Sequence, residues 1–283
     1  MRWLEALTYL RKQYTAEKER VQWNRTIGQI IQHRRFQSLF QPILDVKRGT
    51  TAGHELLNRP HPAPGIASTE QFYERLGASG SLFPFERTAR AAGLMTYHRA
   101  LRGTGRLLFI NVHPNVLEDE QYARGCTRQL LEAYGMDPSQ VVFEITEKQA
   151  VRDYGQLKSV VENYRSQGFR IAMDDVGAGY NSIKTLLALK PEYVKLDRVL
   201  TQGIDDAPIQ QKLVTLFMEA AAEMEAEVIA EGVETEAEYA MLKKLNVPYM
   251  QGYYFAYPEE APTFPEKVLT GSRAAFEKKT AAR

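Results

Sequence analysis

The chain has 283 residues, of which 44% are hydrophobic and 25% are charged, so it is long enough for one large domain or two small ones. Its formal net charge of +1 argues against a broad cationic surface, and therefore against a nucleic acid polymer as a partner. The single cysteine, Cys126, excludes an internal disulfide and a cysteine-based zinc site, which suits a reducing compartment.

The segment from Trp3 to about Gln32 predicts one or two amphipathic helices, because its apolar residues recur mostly three or four positions apart. We expect residues 1–35 to form a helical extension that covers the N-terminal end of the following domain. The alternative is a signalling or dimerising helix that joins an upstream partner. The segment lacks the long apolar core of a signal peptide, and no stretch approaches the ~20 apolar residues of a membrane span. We therefore expect a soluble, cytoplasmic chain.

Two strands are predicted next, at Ser38 to Val46 and Gly53 to Asn58, and helical patterns then cover about Thr69 to Leu76 and Glu86 to Leu101. From there strands alternate with helices. The strands lie near Leu107, Val141, Arg170, Tyr193, Glu227 and Tyr249, and the helices at about 118–134, 154–167, 181–188, 209–224 and 236–245.

Alternating strands and helices at this spacing imply a mainly parallel sheet in an α/β fold. Eight such strands can close a barrel, so we expect a single (β/α)8 barrel over residues 36–262. Residues 263–283 are expected to form a C-terminal helix or linker.

Several of the short apolar runs end on a polar residue. Asn111 ends LLFIN, Glu144 ends VVFE, Asp174 and Asp175 end RIAMDD, Lys195 ends YVK and Glu231 ends VIAE. Because the parallel strands of a barrel direct their C-terminal ends at one rim, we expect these side chains to converge. Taken singly, Glu144 or Glu231 is more typical of a helix cap or a solvated loop charge. The joint pattern favours a site.

Together with Glu55, this rim would hold five carboxylates, which cannot all stay ionised without compensating charge. Two divalent ions plus Lys195 would balance them. Oxygen ligands favour Mg²⁺ or Mn²⁺ over zinc. The adjacent Asp174 and Asp175 are suited to bridging two metals, an arrangement that clamps a phosphodiester and activates a water. The nearby Gly177-Ala178-Gly179 lacks the third glycine of a dinucleotide fingerprint and is better suited to a tight loop.

An ordered series of eight short motifs resembles the EAL family of cyclic-di-GMP phosphodiesterases over about Phe36 to Pro258. The motifs are QPI at Gln41, HELLNRP around Glu55, FIN at Asn111, FEITE at Glu144, DDVGAGY at Asp174, VKLD at Lys195, AEGVET at Glu231 and QGYYFAYP at Gln251. Each motif is weak alone, but their order makes the signal specific. The Glu-Ala-Leu of the family name is Glu55-Leu56-Leu57 here.

The resemblance implies a barrel whose first strand is antiparallel and which hydrolyses cyclic-di-GMP to linear 5′-pGpG with two Mg²⁺ or Mn²⁺ ions. It also implies a homodimer, and sensory or synthase domains upstream or downstream. Carried over by motif, the ligands of the first metal are Glu55, Asn111, Glu144 and Asp174, with Asp174 bridging to a second metal that Asp175 also binds.

The resemblance also implies roles for the other rim residues. Lys195 would orient and help to deprotonate the attacking water, Glu231 would hold the water shell of the second metal, and Glu147 would anchor the loop after Asp175. The substrate would be contacted by Arg59 at a phosphate and by Gln41 and Gln251 on the guanine and water side.

Four positions depart from the family pattern. Leu56 replaces alanine and is expected to face away from Glu55, toward a helix. Val176 and Ala178 replace phenylalanine and threonine in the loop after the paired aspartates, and Asn181 replaces serine. Because every metal ligand and Lys195 are present, we expect an active phosphodiesterase, and Val176 and Ala178 would be the reason if turnover were slow.

Two alternatives stay open. One is a receptor that binds cyclic-di-GMP without cleaving it and signals through the N-terminal helix. The other is an enolase-type barrel, which ranks lower because the chain has no room for a capping domain before Phe36.

Overall fold

The computed structural model describes residues 2–63, 66–77, 79–146, 154–179 and 182–264. Eight strands close a barrel in sequence order. They are β1 (Phe36–Asp45), β2 (Thr50–Pro60), β3 (Leu107–Asn111), β4 (Val141–Thr146), β5 (Arg170–Val176), β6 (Tyr193–Leu196), β7 (Glu227–Ala230) and β8 (Tyr249–Met250).

Helices surround this barrel. They are α1 (Arg2–Gln32), α2 (Thr69–Gly77), α3 (Leu82–Leu101), α4 (Cys126–Tyr134), α5 (Tyr154–Arg165), α6 (Ser182–Leu189), α7 (Arg198–Thr201), α8 (Pro208–Glu223) and α9 (Glu236–Lys244). Strand β1 pairs antiparallel with both β2 and β8, and every other neighbouring pair is parallel. The predicted (β/α)8 barrel with one antiparallel strand is confirmed.

The antiparallel β1 determines where α1 lies. Phe36, at the start of β1, pairs with Pro60, at the end of β2, so the chain enters the barrel at the rim where the parallel strands end. The buried Trp23 of α1 packs edge-on against Phe72 of α2, with ring centroids 5.9 Å apart. The expectation that this helix covers the opposite end of the barrel is therefore wrong.

Apolar side chains form an interior cluster and two outer clusters. The interior cluster contains Ile43, Phe109, Val142, Ala172, Tyr193 and Ile229, each from a different strand. Their neighbours along the strands, such as Leu108 and Val228, belong to the outer clusters between strands and helices. This alternation follows from the two-residue period of a strand, which places successive side chains on opposite faces.

Two predicted helices differ at their N-terminal ends. Helix α3 begins at Leu82, four residues before the predicted Glu86. The helix expected from Glu118 begins only at Cys126, because Gly125 has a left-handed φ of 84° and residues Pro114–Glu118 form a 3₁₀ turn instead. An α-helix cannot continue through a left-handed residue.

Two further expectations concern the C-terminal segment and membrane spans. Most of the predicted C-terminal helix or linker lies outside the described residues. Within the described residues, no helix combines the length and the apolar composition that crossing a membrane requires.

Candidate active site

A layer of polar side chains lies directly above the interior apolar cluster, toward the rim. Strands β1 to β6 contribute one each, and the other two immediately follow β7 and β8. The members are Gln41, Glu55, Asn111, Glu144, Asp174, Lys195, Glu231 and Gln251. Five of them stand two positions after an interior apolar residue, as Asn111 does after Phe109, so the same face of each strand changes from apolar to polar. We call this set the rim layer.

Lys195 lies at the centre of the rim layer and is fully buried. Its Nζ atom lies 2.6 Å from Glu144 Oε1, 2.8 Å from Glu231 Oε1, 3.1 Å from Asp174 Oδ1 and 3.4 Å from Glu55 Oε2. Burial opposes its charge, but the four carboxylates, Asp174 first, hold the pKa of the ammonium well above its usual range. Lys195 is therefore a fixed positive charge in this arrangement.

One lysine does not neutralise the carboxylates around it. Burial, followed by the charge of Glu55, raises the pKa of Glu144 well above its usual value in spite of Lys195. Burial raises the pKa of Glu231 in the same way. Ionisation of both groups in this layer therefore calls for additional positive charge.

Amide side chains connect the carboxylates. Asn111 Nδ2 donates hydrogen bonds to Glu55 Oε1 at 3.2 Å and Glu144 Oε2 at 3.1 Å. Gln251 Nε2 donates to Glu55 Oε2 at 2.7 Å and to Gln41 Oε1 at 3.1 Å. Among the described residues, the buried Gln251 Oε1 has no hydrogen-bond partner. Gln251 thus contacts Glu55 directly, and Gln41 is linked to Glu55 through Gln251. The Oε1 atom of Gln251 is left as an acceptor for a further group.

A bulge in β5 brings the adjacent aspartates together. Met173 pairs with Val194 and Val176 with Leu196, so Asp174 and Asp175 both stand opposite one residue of β6. Asp175 has a φ of 58°, in the left-handed region. Carboxylate oxygens of Asp174, Asp175 and Glu231 all lie within 4.8 Å of one another. A regular strand would have turned Asp175 to the opposite face.

Of the remaining predicted site residues, Arg59 alone is among the described residues, and it lies apart from this layer. Arg59 is exposed on β2, on the same face as Glu55 but four positions closer to the open end of the barrel. Glu147 lies outside the described residues.

The departures from the family pattern fall mainly outside the rim layer. Leu56 is buried against α3, where a Cβ atom on Gly93 would lie 2.4 Å from Leu56 Cδ2. A glycine in the helix thus accommodates the larger side chain. Val176 is fully buried in an outer cluster, and Ala178 is exposed. Asn181 lies outside the described residues.

Two supporting residues were not predicted from the sequence. Thr201 Oγ1 donates to the backbone carbonyl of Glu231 at 2.5 Å. The buried Glu238 accepts hydrogen bonds from the backbone N–H groups of Gly203, Glu234 and Thr235 at 2.9, 2.8 and 3.0 Å. Thr235 and Glu238 form a capping box, and this Thr-x-x-Glu pattern was a usable signal. Together these bonds fix the loop that follows Glu231.

The donors of the rim layer are carboxylate and amide oxygens, with one ammonium. With Asp175 included, five ionised carboxylates against one lysine leave four negative charges, which two divalent cations would balance. Oxygen donors of this kind suit hard cations such as Mg²⁺ and Mn²⁺. Fold and site together define a (β/α)8 barrel with a partly buried site suited to divalent cations.

Comparison with known proteins identifies the family. The family model described as the EAL domain matches residues 23–258. The chain belongs to this family, as its motifs predicted.

Individual relatives agree with this assignment. The chain is 27% identical over 266 residues to Cyclic di-GMP phosphodiesterase RocR from Pseudomonas aeruginosa, covering 90% of this chain and 68% of RocR. A manganese and cyclic-di-GMP complex of Klebsiella pneumoniae BlrP1 has a TM-score of 0.72 at 26% identity, covering 81% of this chain and 57% of that one. A cyclic-di-GMP-bound standalone EAL protein from Vibrio cholerae has a TM-score of 0.70 at 29% identity, covering 83% and 97%. The chain spans only 35%, 38% and 48% of the length of three other curated relatives.

Proposed function

We propose that the chain hydrolyses one phosphodiester bond of cyclic-di-GMP to give linear 5′-pGpG, using two divalent ions, Mg²⁺ or Mn²⁺. The observation that carries this proposal is the crowding of carboxylates around one lysine in the rim layer, with the adjacent aspartates brought together by the β5 bulge. A relative named as a cyclic-di-GMP phosphodiesterase and a solved manganese and cyclic-di-GMP complex support the same chemistry.

The rim layer and the adjacent Asp175 together offer two groups of ligands. Glu55, Asn111, Glu144 and Asp174 would hold the first ion, and Asp174 and Asp175 the second, with Glu231 holding its water shell. In this structure the amide nitrogen of Asn111 points at two carboxylates. To ligate an ion, the amide group would have to rotate so that its oxygen points at them instead. Bound ions of this kind lower the pKa of a coordinated water and stabilise charge on the phosphodiester oxygens.

The side chains of this protein would orient the reaction. Lys195, charged and surrounded by four carboxylates, would donate hydrogen bonds that orient the attacking water. Because two bound ions would offset the same carboxylates and lower the pKa of Lys195 again, we assign it both orientation of the attacking water and help in deprotonating it. The water would lose one proton as its oxygen bonds to phosphorus, the P–O3′ bond would break, and O3′ would take up a proton in place of the one released to solvent, which leaves a 5′-phosphate on linear pGpG.

The substrate would be held by groups on either side of the carboxylates. Arg59, exposed beyond Glu55, would pair with phosphate oxygens through its planar guanidinium. Gln251 Oε1, which has no partner among the described residues, would accept from a guanine or a water, and Gln41 would support it. Glu147, outside the described residues, would anchor the loop after Asp175.

A single-turnover incubation with cyclic-di-GMP and Mn²⁺, resolved by chromatography, tests the proposal. Within the time that the wild type needs for one turnover, we expect pGpG from the wild type, none from Glu55→Ala or Lys195→Ala, and full activity from the exposed-surface control Glu132→Ala. Intact cyclic-di-GMP after incubation with the wild type would contradict hydrolysis. Tight binding without product would identify a receptor instead.

We also propose that the chain forms a homodimer. Exposed apolar side chains on helices that follow neighbouring strands support this: Ile183 and Leu187 on α6, and Ile209 and Leu216 on α8. Sedimentation should show a dimer at micromolar concentration that Ile209→Glu weakens. A monomer under those conditions would contradict it.

The barrel, residues 36–262, is proposed to act as one unit of a signalling protein in the cytoplasm. We propose a sensory domain upstream or downstream of it; the support is that the chain spans only 35% and 38% of the length of two relatives, which therefore contain further segments. The lone cysteine is consistent with a reducing compartment.

A further inference from the structure

A buried ion pair on α3 lies outside the barrel and plays no part in the chemistry above. Glu86 Oε2 and Arg90 Nη2 are 3.1 Å apart, and their side chains are only 6% and 3% exposed. Burial raises the pKa of Glu86 to about 7, in spite of the charge of Arg90. Because burying two charges costs about as much as their attraction returns, such a pair is weak support for a purely stabilising role.

The other oxygen of Glu86 holds the exit of β3. Glu86 Oε1 accepts a hydrogen bond from the backbone N–H of His113 at 2.8 Å. His113 stands two residues after Asn111, the proposed ligand at the end of β3. Between them, the N–H of Val112 donates to the carbonyl of Glu144 at 2.9 Å, which ties this exit to β4.

Arg90 contacts the back of β4. Its guanidinium carbon lies 4.8 Å from the ring centroid of Phe143, and its Nη1 donates to Thr127 Oγ1 on α4 at 2.7 Å. Phe143 immediately precedes Glu144 and faces outward while Glu144 faces the rim layer. The ion pair therefore contacts the segment that follows β3 and the outward face of β4, next to two residues that we propose as metal ligands.

We infer that Glu86 is a positioning residue for Asn111 and Glu144: its carboxylate, oriented by Arg90, fixes the exit of β3 against β4 and so sets the spacing of these two ligands. The inference rests on the proposed metal site. Groups that orient metal ligands typically change metal affinity by about 10- to 100-fold when they are removed.

Two double variants isolate the acceptor. Glu86→Gln with Arg90→Met removes both charges but keeps an oxygen for the His113 N–H, whereas Glu86→Met with Arg90→Met has similar volume and no acceptor. By Mn²⁺ calorimetry we expect the Gln/Met variant to bind within about threefold of the wild type and the Met/Met variant at least tenfold more weakly. Arg128→Met with Glu132→Gln, which removes the exposed pair of equal spacing on α4, is the matched control and should not change the affinity.

Two results would overturn the inference. One is Mn²⁺ binding by the Met/Met variant within threefold of the wild type. The other is an equal loss in both double variants, which would assign the effect to the loss of the two charges rather than to the acceptor for the His113 N–H. The readout is metal binding, so a wild type that binds Mn²⁺ without hydrolysing cyclic-di-GMP would refute the proposed function and leave this test intact.

A measurement on the wild type keeps the inference falsifiable if the Met/Met variant does not fold. Because coupling between two equilibria is reciprocal, Mg²⁺ should strengthen the hydrogen bond between His113 and Glu86. We expect hydrogen exchange at the His113 amide to slow at least threefold when Mg²⁺ is added. An unchanged rate would contradict the positioning role.

Discussion

The inward and outward faces of the barrel strands differ in composition and in what they contribute to the protein. On β6, Lys195 faces inward among four carboxylates, while its neighbour Leu196 is fully buried in an outer apolar cluster. On β2, Glu55 faces the rim layer and Leu56 packs on α3. The two-residue period of a strand thus lets one face stabilise the fold while the other concentrates like charge that only a ligand can relieve.

The largest expected effect comes from breaking the inward face at its centre. Lys195→Met should lower turnover of cyclic-di-GMP at saturating Mn²⁺ by about 10²- to 10³-fold, because a preorganised donor next to the reacting atoms is lost. Rapid-quench kinetics would measure this change. A loss of less than tenfold would show that Lys195 does not orient the reaction.

The adjacent outward residue should give the opposite outcome. Leu196→Ala should lower the free energy of unfolding by about 2–5 kcal/mol, because it leaves a cavity in a fully buried cluster. Turnover per folded molecule, measured well below the melting temperature, should stay within threefold of the wild type. If Leu196→Ala abolished turnover while the protein stayed folded, the separation of the two faces would fail.

His54 offers a pH-dependent test of the outward face. It is fully buried beside Tyr97, Arg106 and Phe264, with Nε2 2.8 Å from the carbonyl of Thr263. Burial lowers the pKa of His54 from 6.5 to about 4. The charge of Arg106 also lowers this pKa, and the hydrogen bond to Thr263 partly opposes the shift. Between pH 4 and 6.5 the unfolded chain binds more protons at His54 than the folded chain does. The contribution of neutral His54 to the free energy of unfolding is therefore complete above pH 6.5 and is lost as the pH falls toward 4.

The contribution of His54 is on the order of 3 kcal/mol, from about 1.4 kcal/mol per pKa unit. Urea unfolding at pH 5, 6, 7 and 8 should therefore show a shallower loss of stability in His54→Gln than in the wild type. Equal pH dependence in the two proteins would contradict the assignment.

The smallest effect concerns the leucine in the family motif. Gly93→Ala should destabilise the protein by about 1–3 kcal/mol, because the new Cβ would meet Leu56 Cδ2 at 2.4 Å. Adding Leu56→Ala should recover much of that loss, as measured by a double-mutant cycle in denaturant. Additive effects would show that the two positions do not compensate.

The sequence predicted those parts of the molecule that follow strand periodicity. Asn111, Glu144, Asp174 and Lys195 each end an apolar run, and the barrel brings all four into one layer. The placement of α1 was missed, because it depends on the end at which an antiparallel strand enters a closed sheet.

The other misses depend on long-range contacts. The β5 bulge that brings Asp175 beside Asp174 is a local break in strand periodicity, and no residue type in this strand predicts it. Glu86 looked like any charge at the start of a helix. Its contact with the His113 N–H joins residues 27 positions apart and exists only in the folded chain.

The number of metal ions bound per chain tests the central claim most directly. After equilibrium dialysis against Mn²⁺, elemental analysis should find two ions per wild-type chain and one in Asp175→Asn. The reason is that the rim layer and Asp175 supply two groups of oxygen ligands that share Asp174, and only the second group contains Asp175. A wild type that binds no Mn²⁺, or two ions in both proteins, would contradict the charge balance on which the proposed chemistry depends.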